Sequence, residues 1–179
     1  MSVSKLGFAL MPSPALHSFI RQTQIELHET YGFRISRQSP HITIKAPFET
    51  TNRKAVGDFL EKLARETKPF PLELKGFGSF GKKFLFVDVL GNPPLKALHI
   101  QILNGLQKEF GIPTGNLEGD NIRFHATVAG YEQEADFDQA WEFVQRKKPH
   151  FVFPLSALSI FYHMGESGWA ISRVLSVGK

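Results

Sequence analysis

Pro40-His41-Ile42-Thr43-Ile44 and Phe124-His125-Ala126-Thr127-Val128 are the two stretches whose reading decides this fold. In an extended strand, residues i and i+2 share a face. His41 and Thr43 therefore point one way while Ile42 and Ile44 turn toward a core. His125 and Thr127 part from Ala126 and Val128 in the same manner. Two such strands can set two histidines across one phosphate. General acid–base attack on a phosphodiester needs no more than that.

Working outward from the motifs, Leu6–Met11 reads as a strand, and Ser13 caps a helix with Pro14 at its first position. Leu16, Phe19, Ile20, Thr23 and Leu27 form one helical face, and Gly32 stops it. The first motif strand runs from His41 to about Ala46. Asn52 caps a second helix with the stripe Val56, Phe59, Leu60, Leu63, and Pro69 ends it. Strands at about Phe70–Phe77 and Phe84–Leu90 are joined by a Gly81-Lys82-Lys83 turn. Pro93-Pro94 then opens a helix carrying Leu95, Leu98, Ile102, Leu106 and Phe110, stopped by Gly111. The second motif strand runs from Arg123 to about Ala129. Asp136 caps a fourth helix with Phe137, Ala140, Trp141 and Val144. Strands Phe151–Tyr162 and Trp169–Val177, joined by Gly165-Glu166-Ser167-Gly168, close the chain.

The order is a repeat: strand, helix ending in aromatic-Gly, loop, His-x-Thr strand, helix ending near Lys-Pro, strand. One domain over residues 1–179 is expected. Its two pseudo-repeats cover about 4–80 and 83–163, followed by a final strand at about 169–177. Packed about a pseudo-twofold axis, the copies share a groove with the motif strands facing across it.

The duplication matters more than the string. Seven histidines and eight threonines in this length yield roughly 0.3 chance triplets. A third copy, His28-Glu29-Thr30, lies in the first helix, where i and i+2 diverge by about 200°.

Composition narrows the classes. Apolar content is 42% and charged content 21%, as in an ordinary soluble folded protein. Cysteine is absent, which excludes disulfides, thiolate metal sites and thiol catalysis. It also fits a cytoplasmic address. Leu6–Met11 is too short for a signal peptide or membrane span. The net charge of +4 suits an anionic substrate and does not by itself argue nucleic-acid binding. No His-Glu-x-x-His, no paired histidines at helical spacing and no carboxylate beside a motif are present, so no metal and no cofactor are expected.

The paired motifs and the repeat resemble the 2H phosphoesterase superfamily, also called the LigT-like or 2′-5′ RNA ligase family. Ser39-Pro40-His41-Ile42-Thr43-Ile44-Lys45-Ala46-Pro47-Phe48 and Phe161-Tyr162-His163-Met164-Gly165-Glu166-Ser167-Gly168-Trp169 resemble a bacterial phosphoesterase branch of it. The resemblance covers nearly the whole chain. It implies a bilobal α+β fold, with two antiparallel sheets lining a central groove and helices outside. It also implies action on 2′,3′-cyclic phosphates, 2′-5′ linkages or related nucleotide esters. His41, Thr43, His125 and Thr127 match its catalytic motifs. The second motif departs in having no basic residue after it.

The expected activity is metal-independent hydrolysis of a phosphodiester in an RNA end or nucleotide. One imidazole serves as base, the other as acid, and Thr43 and Thr127 donate to the non-bridging oxygens. The alternatives are 2′-5′ RNA ligation and a non-catalytic RNA- or nucleotide-binding module. Lys45 and Arg123 share the motif faces and are candidates for holding phosphate. Tyr131 is a candidate for stacking on a base, whereas Phe48 belongs to the core. Arg34 and Arg37 precede the first motif as surface arginines. His99 reads as a core or boundary histidine, and Tyr162-His163 lies near a turn. No membrane and no obligate protein partner are inferred.

Overall fold

The computed structural model describes residues 3–33, 36, 38–130 and 134–178. The fold is α+β. Its strands are β1 (Ser4–Leu10), β2 (Ile42–Thr50), β3 (Pro71–Phe80), β4 (Phe84–Val89), β5 (His125–Gly130), β6 (His150–Pro154), β7 (Ala157–His163) and β8 (Trp169–Ser176). Its helices are α1 (Pro14–Tyr31), α2 (Arg53–Glu66), α3 (Pro93–Phe110) and α4 (Glu134–Gln145). Among the described residues no helix is long and apolar enough to cross a membrane.

The strands form one antiparallel sheet in the order β6-β3-β4-β5-β2-β1-β7-β8. The two expected sheets are its four-stranded halves. They join where Ile42 of β2 pairs with Ala126 of β5, at the centres of the two motifs. β1 lies between β2 and β7, and β4 lies between β5 and β3. One later strand of each chain segment thus lies in the other half. β3 completes the half that holds the second motif, and β7 returns to the half that holds the first. The helices cross over too, with α1 packed on β5 and α3 on β2.

Helix ends follow the sequence. Ser13 Oγ accepts from Leu16 N at 3.2 Å and Asn52 Oδ1 from Ala55 N at 3.2 Å. Gly32 and Gly111 close α1 and α3 with φ of +73° and +66°, a left-handed conformation that side chains disfavour. Asn92 caps α3 from one residue before Pro93, a cap the sequence reading did not name.

Three boundaries differ from expectation. Asp136 lies inside the first turn of α4, where its charge still complements the helix dipole. The stretch read as one strand from Phe151 to Tyr162 is two strands in different halves of the sheet. Pro154, which has no N–H to donate, ends β6 opposite Pro71, and the chain crosses over before β7. β2 runs on to Thr50, past Pro47. Pro47 sits at an irregularity where the pairing jumps from Phe8↔Lys45 to Leu6↔Phe48, a place that tolerates a missing donor.

One core joins the layers. Ile42, Ile44, Ala126 and Val128 are buried with Leu16 and Ile20 of α1, Leu60 of α2, Ile102 and Leu106 of α3 and Ala140 of α4. Burying a side chain of the Leu or Ile size contributes roughly 1.5–3 kcal/mol. Register is held accordingly, because a one-residue slip of β2 or β5 would turn the apolar set outward. The same constraint fixes the histidines and threonines on the opposite face.

Candidate active site

The Ile42–Ala126 pair lies at the middle of the site. Both side chains are fully buried on the helix side. His41 and Thr43 flank one, and His125 and Thr127 flank the other. Continued as a regular ladder, this register sets His41 opposite Thr127 and Thr43 opposite His125. The two histidines are then diagonal neighbours, about 7–8 Å apart in such a ladder. His41 also responds to the charge of His125.

The two imidazoles are held alike. His41 Nδ1 lies 2.8 Å from the Ser39 carbonyl and His125 Nδ1 2.7 Å from the Arg123 carbonyl, each two residues upstream. A carbonyl only accepts, so each Nδ1 carries the proton. Each Nε2 is left to accept when neutral and to donate when charged. Each ring also rests on aromatic side chains. Phe161 of β7 lies 4.7 Å from His41, while Phe80 of β3 and Phe86 of β4 lie 4.9 and 4.8 Å from His125. Burial beside these rings lowers both histidine pKa values from 6.5, and the carbonyl hydrogen bonds pull them partly back.

Two cavities meet at His41. The smaller, about 200 Å³, is walled by Gly7, His41, Thr43, Lys45, Phe161 and Trp169. The larger, about 690 Å³, is walled by Gln24, Gln38, His41, Thr127, Glu166 and Trp169, among others. His125 is not in either wall. It lies beside the half-exposed Arg123. A still larger cavity of about 1170 Å³ lies between α2 and α3, away from both motifs.

The candidate phosphate-binding residues are placed less simply. Lys45 is buried, with its ammonium 2.7 Å from Glu118 and 3.3 Å from the Pro113 carbonyl. It shares the smaller cavity's wall with His41 and Thr43, as alternation predicts, while its charge is met by Glu118. Arg123 keeps its place on the face of His125, forked onto Asp88 at 3.2 and 2.7 Å. Tyr131, Arg34 and Arg37 lie outside the described residues.

Phe48 is core, edge-on to Phe8 at 5.3 Å. His99 is a core histidine. Its Nδ1 donates to the Ile44 carbonyl at 2.6 Å, and its Nε2 accepts from Gly119 N at 2.9 Å. His163 packs on Trp169 at 4.9 Å, so it reaches the groove wall through that ring.

Five groove or support residues escaped the sequence reading as site residues. Phe161 and Trp169 lie in a C-terminal stretch that reads as an ordinary strand pair. Gln38 precedes the first motif, and its carbonyl accepts from Arg21 of α1 at 2.7 Å. Asp88 sits opposite His125 only through the β4–β5 register. Glu118 lies in a loop with no periodic signal.

The profile of the 2′-5′ RNA ligase superfamily matches residues 12–166. The chain belongs to this superfamily. A protein of Geobacillus thermodenitrificans named "Putative phosphoesterase" is 25% identical over 181 residues, covering 97% of this chain and 96% of its own. A Bacillus mycoides protein with the same kind of name is 25% identical over 184 residues, covering 98% of each chain. The fold is shared with TT0787 of Thermus thermophilus, at TM-score 0.66 and 13% identity over 97% of this chain and 98% of that one. It is shared too with Escherichia coli LigT complexed with 3′-AMP, at TM-score 0.64 and 15% identity over 98% and 99% of the two chains. The 2H phosphoesterase resemblance and the α+β architecture expected from the sequence both stand.

Proposed function

We propose that this superfamily member hydrolyses a 2′,3′-cyclic or 2′-5′ phosphodiester at an RNA end or in a nucleotide, with His41 and His125 as the acid–base pair and no metal. The observation that carries the reading is the matched presentation of the two imidazoles. Each has Nδ1 committed to a backbone carbonyl and Nε2 left for a substrate. A site built only to bind phosphate is better served by arginine or lysine, which hold their charge at any working pH.

The chemistry balances between two nitrogens. One neutral Nε2 takes a proton from water as the water oxygen bonds to phosphorus. The bond from phosphorus to a ribose oxygen breaks, and the other Nε2, protonated, gives that oxygen its proton. A phosphomonoester and a ribose hydroxyl result, and solvent exchange restores the pair. Each transfer contributes about 10²–10⁴-fold. In this reading Thr43 and Thr127 donate to the non-bridging oxygens as negative charge builds there. That LigT has been crystallised with 3′-AMP supports a nucleotide-sized ligand for this groove.

The test is a substrate screen in excess EDTA, using 2′,3′-cyclic nucleotides and 2′-5′-linked dinucleotides. Turnover that survives EDTA is expected. Saturable binding without turnover would favour the binding module, and joining of RNA ends in place of cleavage would favour ligation.

A further inference from the structure

The two motifs are alike in backbone and unlike in charge. β1 and β4 are equivalent neighbours of the motif strands, since Leu10 pairs with Ile42 as Val87 pairs with Ala126. One residue further, β4 presents Asp88 opposite His125. At that place beside His41, the chain has Met11. The residues whose carbonyls hold the rings differ as well, Ser39 for His41 and Arg123 for His125. An ion pair therefore flanks one histidine, and uncharged side chains stand at the same places beside the other.

Around His125 the parts interlock. Asp88 accepts both ends of the Arg123 fork. The guanidinium lies 5.0 Å over the Phe86 ring and 5.9 Å over the Phe80 ring. Those two rings touch each other and the imidazole. Gly78 allows this closeness, since a Cβ there would come within 2.4 Å of Phe86. The charged groups near His125 are Arg123 on its own strand, Asp88 on β4 and His41 across the junction with β2. On the His41 side, Lys45 of β2 and Glu166 after β7 line the cavities that His41 enters, and Lys45 is matched by Glu118.

We infer that Asp88 is a positioning residue which, with Arg123, breaks the pseudo-twofold symmetry of the site and makes His125 the proton-bearing partner, leaving His41 as the base. This assignment rests on the proposed hydrolysis for its catalytic meaning, though not for its test. Burial opposes a charge on both rings. At His125, the Arg123 carbonyl and the Asp88 carboxylate oppose that effect, while the Arg123 charge adds to it. At His41, only the Ser39 carbonyl opposes it, and a charge on His125 adds to it. A single proton shared by the pair thus settles on His125. In hydrolysis His125 then protonates the leaving ribose oxygen, and His41 deprotonates water.

The experiment is an NMR pH titration of the two imidazoles in the full chain, assigned with His41→Ala and His125→Ala. In the wild type, His125 is expected to titrate at higher pH than His41. Asp88→Asn removes a carboxylate and leaves a cation, so His125 moves to lower pH while His41 moves less. Arg123→Ala removes the cation and leaves the carboxylate, so His125 moves to higher pH. The opposite signs keep the test decisive even if one variant folds poorly. Asp88→Glu restores the wild-type order. If His125 titrates below His41, or both variants shift it the same way, the inference is wrong.

An activity arm separates the two readings. With 2′,3′-cyclic AMP, Asp88→Asn is expected to lower kcat about tenfold and to move the basic limb of kcat/KM to lower pH. Absence of wild-type turnover on any screened diester, with the titrations as predicted, would overturn the hydrolytic function and leave the role of Asp88 standing.

Discussion

At the scale of single residues, tautomer and burial decide what the motif histidines do. The carbonyls of Ser39 and Arg123 select the same tautomer on both rings, which leaves Nε2 of each for the proposed chemistry. Burial lowers both pKa values from 6.5. In the proposed hydrolysis the productive state has the base neutral and the acid charged. It is most populated between the two values, and both lie below 6.5. The kcat/KM profile for a 2′,3′-cyclic nucleotide is therefore a bell centred on the acid side of pH 6.5, read from initial rates across pH 4–9. An optimum well above neutrality would mean that these imidazoles do not set the limbs. The residues of the two motifs were legible in the sequence because alternation is a local rule. Asp88 was not. Its place opposite His125 depends on how β4 registers against β5, across a loop and a whole helix, and no local pattern reports that.

At the scale of elements, the loop after α3 is locked under β2 by one buried cluster. Glu118 accepts from Lys45 Nζ at 2.7 Å, Ala46 N at 2.7 Å and Gly115 N at 2.6 Å. Burial alone would raise its pKa. The bonds from Lys45, Gly115 and Ala46, with the charge of Lys45, outweigh that and hold it below 4.5. Glu118→Gln strands a buried ammonium, a change that costs about 3–5 kcal/mol and lowers the melting temperature by on the order of 10 °C. Because the folded pKa is depressed, this contribution is present above pH 4.5 and is lost as pH falls through the lower folded value. The gap between wild type and Glu118→Gln, followed by calorimetry, should close with acidification. A gap independent of pH would show that the carboxylate's charge is not what stabilises the loop. Helix starts and stops were readable here because caps and left-handed glycines are local. The break between β6 and β7 is marked only by Pro154, since Phe151–Tyr162 is otherwise mostly apolar and suits one long buried strand equally well.

At the scale of the whole molecule, two four-stranded halves of one sheet meet at the Ile42–Ala126 pair, and the proposed site lies at that junction. The repeat, the α+β class and the outward helices follow from the order of elements. The exchange of β3 and β7 does not, since either partner strand buries the same apolar face. The central claim is that two half-molecules supply one proton relay, and a double-mutant cycle tests it most directly. Rates of 2′,3′-cyclic nucleotide hydrolysis in EDTA are compared among wild type, His41→Ala, His125→Ala and the double variant. Each single variant should lose at least about 10²-fold, and the double variant little more than the worse single, as for residues that act as a unit. Near-full activity in either single variant, or losses that simply multiply in the double, would contradict a shared site.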